Sequence, residues 1–497
     1  MVVEQGYRPT ASPPGAGRGG GVKYDPRFRR TKIIATVGPA SASESVLEEM
    51  MAAGVNMLRI NSSHGTPEWR AETMDRIREV RERVSQSVAI LLDLQGPRIR
   101  VGELSEPREL VEGTEVVFAP EADASGADIP TTYELLADDV RPGDRILLDD
   151  GLLEVQAVEV KGRKVVGRVI HGGELKSSKG MNLPGVRVSA PAVTEKDRSD
   201  LDLATSHGAD FVGLSFVRGH NDVQTLRELL PGDTRIISKI EKATALDNLY
   251  RIIEATNGVM VARGDLGVEL PFEKVPLAQK RVIRLANQFG RPVITATQML
   301  ESMVEKPRPT RAEASDVANA VLDGADAVML SAETAIGEYP VEAVKAMVRI
   351  IEETEAADLA DRSLLSQRVD RLFADHGPDT SDAIAAATCA AAEMLNAPFI
   401  VCLTKSGFTA RKIAAYRPTV PIIGLTTEAT TYRQLALTWG VHAALVPSLP
   451  TYDEMWRVAR EYLLSREYVG EGACVVVTAG VPFDVSGTTN LLKVEVV

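Results

Sequence analysis

The stretch Val259–Leu270, VMVARGDLGVEL, decides how the chain is read. Val259, Met260, Val261 and Ala262 form an apolar run short enough for a strand buried on both faces. Polarity then changes abruptly, with Arg263, Gly264 and Asp265 followed by Gly267. A buried strand running into a Gly-flanked acid places a carboxylate at the strand's carboxyl end. The glycines let a ligand approach the backbone, and amides opening a helical turn make an anion site. Upstream, Arg235–Glu241 (RIISKIE) reads as the preceding strand, and Lys239 and Glu241, two apart, share one of its faces. Glu241 and Asp265 on successive strand ends then form a hard-cation site of the Mg²⁺ type with an ammonium beside it. Such a group stabilises negative charge on a phosphate or an enolate. Taken singly, an Asp after a strand is a turn or cap residue, and Lys-x-Glu on a strand is a solvated edge pair. Both sit here in Val/Ile/Met-rich runs where solvated charge is out of place, and that favours function.

Moving outward, strand–helix alternation begins near Thr31. Lys32–Val37, Val55–Ser63 and Val88–Leu92 read as strands, with a capping signal at Ser41–Glu44 and Gly54 closing the first helix. After an interruption, Phe211–Phe216, Arg235–Ile240, Val259–Ala262, Pro292–Thr297 and Ala327–Leu330 follow. These make about eight βα units, the count of a closed (β/α)₈ TIM barrel. Polar residues fall at seven of these strand ends: Arg59/Asn61/Ser63, Asp93, Ser215, Lys239/Glu241, Asp265, Thr295/Thr297 and Ser331/Glu333. The carboxyl-end rim is where such barrels carry their active sites.

The expected domains follow from shifts in pattern. Residues 1–28, rich in Gly, Pro and Arg, read as a disordered tail. Residues 29–97 are the first part of the barrel and 192–357 the second. Between them, 98–191 hold short alternating stretches (Thr114–Phe118, Arg145–Leu148, Leu153–Val158, Lys164–Val169), a small inserted β-barrel lid. Residues 358–497 begin with a charged connector ending near Asp379. They continue as an open α/β domain with strands at Phe399–Leu403, Ile422–Leu425, Ala444–Val446, Cys474–Thr478 and Leu491–Val496.

The 497 residues carry a formal net charge of -13, which argues against nucleic acid and membranes as partners. A phosphate substrate then requires local concentration of Arg and Lys. Cys389, Cys402 and Cys474 read as free thiols of a cytoplasmic protein. No signal-peptide core or membrane-length apolar run stands in the sequence.

The motifs RINSSHG, LDLQGPRIRVG, SSKGMNLPG, ISKIE, MVARGDLGVEL, ITATQMLESM, RPTRAEASDVANAVLDGADAVMLSAET and LTKSG make the chain resemble the pyruvate kinase family along nearly all its length after the tail. The resemblance implies phosphoryl transfer from phosphoenolpyruvate to ADP, giving pyruvate and ATP. It implies that Glu241 and Asp265 ligate Mg²⁺, or Mn²⁺ in its place. Gly264, Asp265 and Thr297 would take the substrate carboxylate, Lys239 the transferring phosphoryl group and the enolate, and Arg59 and Arg100 phosphoryl oxygens. Thr297 would lie on the proton route, and Asn61, His64, Lys179 and Arg100 would face the nucleotide near Trp69. Ser331 and Glu333 would support the rim. Asn61, Ser63, Asp93 and the Leu94 carbonyl correspond to the family's monovalent-cation cage. Members that need K⁺ carry Glu where this chain has Arg98, and members with Lys there dispense with the ion. Arg98 therefore implies that K⁺ is not required. Thr404, Lys405, Ser406 and Thr409 resemble the family's effector-phosphate loop, which implies a phosphorylated allosteric effector. A homotetramer is implied as well.

Two other readings compete. Another Mg²⁺-dependent barrel enzyme that forms pyruvate enolate, an aldolase or phosphomutase, accounts for Glu241 and Asp265 but not for Lys179 or the insert. A non-catalytic metabolite sensor would have lost at least one of Lys239, Glu241, Asp265, Arg59 and Thr297, and all five are intact.

Overall fold

Eight Val/Ile/Leu/Met-rich segments, too apolar to face water on either side, form parallel strands. They are β1 (Lys32–Thr36), β2 (Met57–Asn61), β3 (Ala89–Asp93), β4 (Phe211–Leu214), β5 (Arg235–Ile240), β6 (Gly258–Ala262), β7 (Val293–Ala296) and β8 (Ala327–Leu330). A computed structural model describes them, and covers residues 25–360, 379–447, 451–482 and 487–497. Each strand pairs in parallel with its sequence neighbour and β8 returns to β1, so the barrel closes. Alternate residues fill its interior: Ile34, Met57, Leu91, Ile237, Met260, Ile294 and Met329 form one cluster. The opposite faces pack on the helices, with Ile33, Leu58, Ile90, Val212, Val259 and Val328 fully buried there. Burial of each such side chain contributes about 1.5–3 kcal/mol.

The interior cluster also contains Ala436 and Leu437. These belong to a 3₁₀ turn, Leu435–Leu437, of the carboxyl-terminal domain. They plug the barrel at the amino-terminal end of its strands, opposite the rim. That domain is an open five-stranded sheet, β9 (Ile400–Leu403), β10 (Ile422–Thr426), β11 (Val441–Leu445), β12 (Cys474–Ala479) and β13 (Leu491–Val496). Its order is β11-β10-β9-β12-β13, with only β13 antiparallel. The β11 strand starts earlier than its Ala-Leu-Val core suggests. Gly440, at φ +67°, turns the chain, and its amide donates to Arg30 O, which sets the register from the barrel side.

Two local expectations shift. The cap of helix Glu44–Ala53 is Ser43, whose hydroxyl accepts from the Val46 amide. Ser41 instead accepts from the Gly38 amide in the preceding turn. Gly54 closes this helix in the left-handed region at φ +117°. Phe28, placed at the end of the expected tail, is a core residue. It meets Phe399, His442 and Tyr468 edge-on, with centroids 4.9, 5.0 and 4.9 Å away. Residues 1–24 of that tail lie outside the described residues, as do 361–378 of the charged connector; its start belongs to helix Pro340–Ala360.

The insert after Asp93 is a six-stranded sheet built on the antiparallel strands Arg145–Leu148, Leu153–Lys161 and Lys164–His171, beside a two-stranded sheet of Arg108–Leu110 and Gly173–Leu175. It curls through single bridges, Arg100 to Gly180 and Val101 to Thr131, rather than closing through a continuous ladder. All three cysteines are free thiols. Among the described residues, no helix is long and apolar enough to cross a membrane.

Candidate active site

Strand period decides the rim. On β5 the inward set continues from Ile237 through Lys239 to Glu241, as alternation requires. The Lys239 ammonium lies 2.8 Å from Glu241 Oε1 and 3.3 Å from Asp93 Oδ1, and donates to Ser215 Oγ at 2.9 Å. Ser215 in turn donates to the Leu94 carbonyl at 2.7 Å. From β2, Arg59 reaches the other Asp93 oxygen at 2.7 Å and donates to Thr36 Oγ1 at 3.1 Å. Two cations and two carboxylates thus interlock at the mouth of the barrel.

Their electrostatics are uneven. Burial raises the Asp93 carboxyl, but the Lys239 and Arg59 charges more than offset it and hold the group below the usual carboxylate range. Burial pulls Lys239 down, but Asp93 and Glu241 outweigh it, so the ammonium stays charged. Glu241 goes the other way. Burial pushes it up, Lys239 pulls it down, and the charge of Asp265 pushes it up again; the net direction is upward. Its Oε2 accepts the Phe216 amide at 2.6 Å, while Oε1, buried, faces the Lys239 ammonium. A buried carboxylate strained by a second carboxylate is what a divalent ion would relieve. Glu241 and Asp265 are the residues that could hold a hard divalent cation here. Among the described residues, no three acidic, His or Cys side chains gather as a ready-made metal cage.

Beside this group, β6 ends at Ala262 and a short helix, Arg263–Glu269, opens on Gly264 and Asp265. The Gly264 amide donates to Thr297 Oγ1 at 2.9 Å, tying this turn to the end of β7. Thr297 (φ +65°) and Gln298 (φ +55°) both adopt left-handed backbone. A β-branched residue there costs on the order of 1–3 kcal/mol. Arg263 holds them: it donates to Ala296 O, Thr297 O and Gln298 O, and pairs with Asp316 at 2.6 Å. Glu333 supports the same turn, accepting the Leu300 amide at 3.0 Å and the Ser331 amide at 2.6 Å.

The structure brings Lys239, Glu241, Asp93 and Arg59 together through direct contacts and Gly264 and Thr297 together through another, while Asp265, next to Gly264, acts on Glu241 through its charge. The nucleotide candidates lie further out. His64 is exposed; partial burial and then the charges of Arg98, Arg59 and Arg100 lower its pKa, so all four belong to one electropositive edge. Arg100 donates to Ser178 O, and Lys179 pairs with Asp149 at 2.8 Å, within the insert. Trp69 packs over Gly65. A cleft of about 940 Å³ runs between insert and barrel, lined by Arg98, Asp150, Arg263, Gly264, Asp265 and Gln298 among others. A methyl group at Gly151, on the insert's hairpin tip, would lie 3.6 Å from Val268 Cγ1 of the barrel, so the insert reaches over the cleft.

Three of the four candidate cage members, Asn61, Asp93 and the Leu94 carbonyl, already have partners. Asn61 Oδ1 accepts the Ser63 amide, Asp93 serves Arg59 and Lys239, and the Leu94 carbonyl serves Ser215. At the far end of the molecule, the stretch Thr404–Thr409 leaves β9 and runs into the first turn of helix Phe408–Ala415. Lys405 is exposed, Gly407 stands at φ +75°, and Thr409 meets Thr488 and Thr489. Sequence reasoning missed Thr36, the Phe216 amide and the clamp role of Arg263. The first two are a backbone-like hydroxyl and a backbone group, without side-chain signature. Arg263 lay in the quoted motif but shows its role only through Asp316, far along the chain.

The pattern for "Pyruvate kinase, barrel domain" matches residues 28–344, and that for "Pyruvate kinase, alpha/beta domain" matches 382–495. The chain is 48% identical over 477 residues to pyruvate kinase of Geobacillus stearothermophilus, covering 94% of this chain and 80% of that one. It is 42% identical over 477 residues to pyruvate kinase of Clostridium acetobutylicum, covering 95% of this chain and all of that one. A crystal structure of a pyruvate kinase from Cryptosporidium parvum superposes with a TM-score of 0.89 at 35% identity, covering 96% of this chain and 98% of that one. With the rim of polar strand ends, the plugged barrel and these likenesses together, the chain belongs to the pyruvate kinase family.

Proposed function

We propose that the chain transfers the phosphoryl group of phosphoenolpyruvate to ADP, yielding pyruvate and ATP, the closing step of glycolysis. The observation that carries this is Lys239, held between Asp93 and Glu241 while the charge of Asp265, in the short helix after the next strand, bears on Glu241. In this reading Glu241 and Asp265 would hold Mg²⁺ or Mn²⁺, which would supply Lewis-acid charge to the substrate. Lys239 and Arg59 neutralise the phosphoryl group, and Lys239 then stabilises the enolate. Gly264 and Asp265 amides with Thr297 orient the carboxylate. The Thr297 hydroxyl, which donates to Ala296 O and accepts from Gly264 N, lies on the route of the proton to the enolate carbon. Asn61, His64, Lys179 and Arg100 receive ADP under the insert, which acts as a lid.

K⁺ is dispensable in this account. Arg98 lines the cleft, and its charge bears on His64 and Arg100. The candidate cage oxygens already serve Arg59, Lys239 and Ser215. The Thr404–Thr409 loop takes the phosphate of an allosteric effector. The family resemblance extends the proposal to a cytoplasmic homotetramer without nucleic-acid or membrane partners. Pyruvate formation from phosphoenolpyruvate by the purified chain tests the reading. It should require both ADP and a divalent ion. An aldolase or phosphomutase would not consume ADP, and a sensor would turn over nothing.

A further inference from the structure

At the plugged end of the barrel, four arginines converge on the contact between barrel and carboxyl-terminal domain. Arg235 opens β5, the strand that carries Lys239 and Glu241 at its other end. Arg411 lies on helix Phe408–Ala415 of the carboxyl-terminal domain. Both donate to a single acceptor, the Ser406 carbonyl, at 3.2 and 3.0 Å, which fixes their guanidinium groups side by side. Arg235 also donates to Gln434 Oε1. Arg227 donates to Asn257 Oδ1 at 2.8 Å, and the same oxygen accepts the Ile236 amide next to Arg235. Arg291 follows Gly290, whose position faces Ala415 at the end of the Arg411 helix, and donates to Glu254 O at 3.2 Å.

These groups lack what accompanies other enclosed arginines in the molecule. Arg59, Arg70, Arg81 and Arg417 each pair with a carboxylate. Among the described residues, none of Arg227, Arg235, Arg291 and Arg411 forms an ion pair, and Glu254 alone bears on Arg291 as an acid. Arg291 Nε is buried without a hydrogen-bond partner. All four are half-buried, so solvent reaches them, yet their surroundings are dense. Desolvation and mutual repulsion lower Arg235 to about 10 and push Arg411 well below its ordinary value. An arginine does not escape by losing its proton near neutrality. The cluster is therefore a focus of positive charge in a chain of net charge -13.

We propose that this arginine cluster binds a dianionic phosphate group, free or as a phosphate ester, with Arg227, Arg235, Arg291 and Arg411 as its donors. Planar guanidinium forks match phosphate oxygens, and the shortage of fixed acids leaves their charge for a diffusible one. The site is distinct from the Thr404–Thr409 loop, whose Ser406 carbonyl the arginines hold from beneath. An occupant would cross-link the barrel to the carboxyl-terminal domain at the foot of β5.

The test measures the thermal midpoint and calorimetric binding of the full chain with inorganic phosphate and with glycerol 2-phosphate, against chloride at equal ionic strength. A ligand specific to the folded state raises the midpoint in a concentration-dependent way. The expected result is saturable stabilisation by at least one probe. Arg291→Gln should weaken binding at least tenfold, Arg227→Gln should weaken it to a lesser degree, and Lys405→Glu should leave it intact. Binding of inorganic phosphate alone marks a site sized for the free ion; binding of the ester as well marks a metabolite site. Absence of saturable binding by the unmutated chain overturns the proposal. So does binding that Lys405→Glu abolishes while Arg291→Gln and Arg227→Gln both retain it, since the anion then sits in the loop. Should Arg291→Gln fail to fold, Arg227→Gln decides alone: unchanged affinity refutes the site.

Discussion

Lys239 is where charge and chemistry meet. Replacing it by Met removes the ammonium that faces both Asp93 and Glu241. Phosphoryl transfer should fall by roughly 10²–10³-fold, the cost of losing one charge-stabilising group. Near-normal turnover would exclude it from the mechanism. Asp93 gives a prediction in stability. Its folded pKa lies below 3.8, so the stabilisation from its pairing is full above that value and is lost as pH falls through the folded pKa. Asp93→Asn leaves Arg59 and Lys239 without their shared counter-charge, and breaking a buried pair of this kind costs about 3–5 kcal/mol at neutral pH. Urea unfolding of both proteins should show that gap narrow in strong acid; a pH-independent gap would contradict the assignment. Arg98 bears on the monovalent ion. Turnover in a buffer of bulky organic cations should not rise when KCl is added at matched ionic strength, and Arg98→Glu should create such activation. Many-fold activation of the unmutated chain by K⁺ would refute the idea.

At the scale of elements, strand period is what made the site legible. Lys239 and Glu241 sit two apart on β5, and that spacing alone placed them on one face; the 2.8 Å contact follows from it. Asp265 was legible because a buried strand stopped abruptly at a Gly-flanked acid. Thr297 was legible as a strand-end polar residue, but its left-handed backbone was not. It depends on Arg263 and Asp316, which meet only when β6, β7 and a later helix are packed together. Phe28 was hidden for a similar reason, since one aromatic among Gly, Pro and Arg has no periodicity to betray it. The loop Thr404–Thr409 is an element whose use is testable. Lys405 projects from it, exposed and without an acidic partner among the described residues. Lys405→Glu should erase the influence of a phosphorylated effector on phosphoenolpyruvate saturation, a coupling typically of about 1–3 kcal/mol. If no sugar phosphate or nucleotide shifts the curve of the unmutated chain, the loop is not an effector site.

Across the whole molecule, the count of eight βα units was readable because parallel strands buried on both faces appear as short apolar runs. How the domains touch was not readable, because contacts between distant segments leave no local pattern. Leu437 entering the barrel interior is one such contact, and the Gly151 hairpin tip over Val268 is another. Both place β5 and the cleft between other domains, the plug beneath and the insert above. The central claim, that this assembly moves a phosphoryl group between phosphoenolpyruvate and ADP on a divalent ion held by Glu241 and Asp265, can be followed directly by ³¹P NMR. With phosphoenolpyruvate, ADP and Mg²⁺, the unmutated chain should convert the enol phosphate signal into the γ-phosphate of ATP. Glu241→Gln should slow this by at least 10²-fold, on the order of the loss of one preorganised charge contact. Enol phosphate that persists with the unmutated chain, or disappears without ATP forming, would contradict the account.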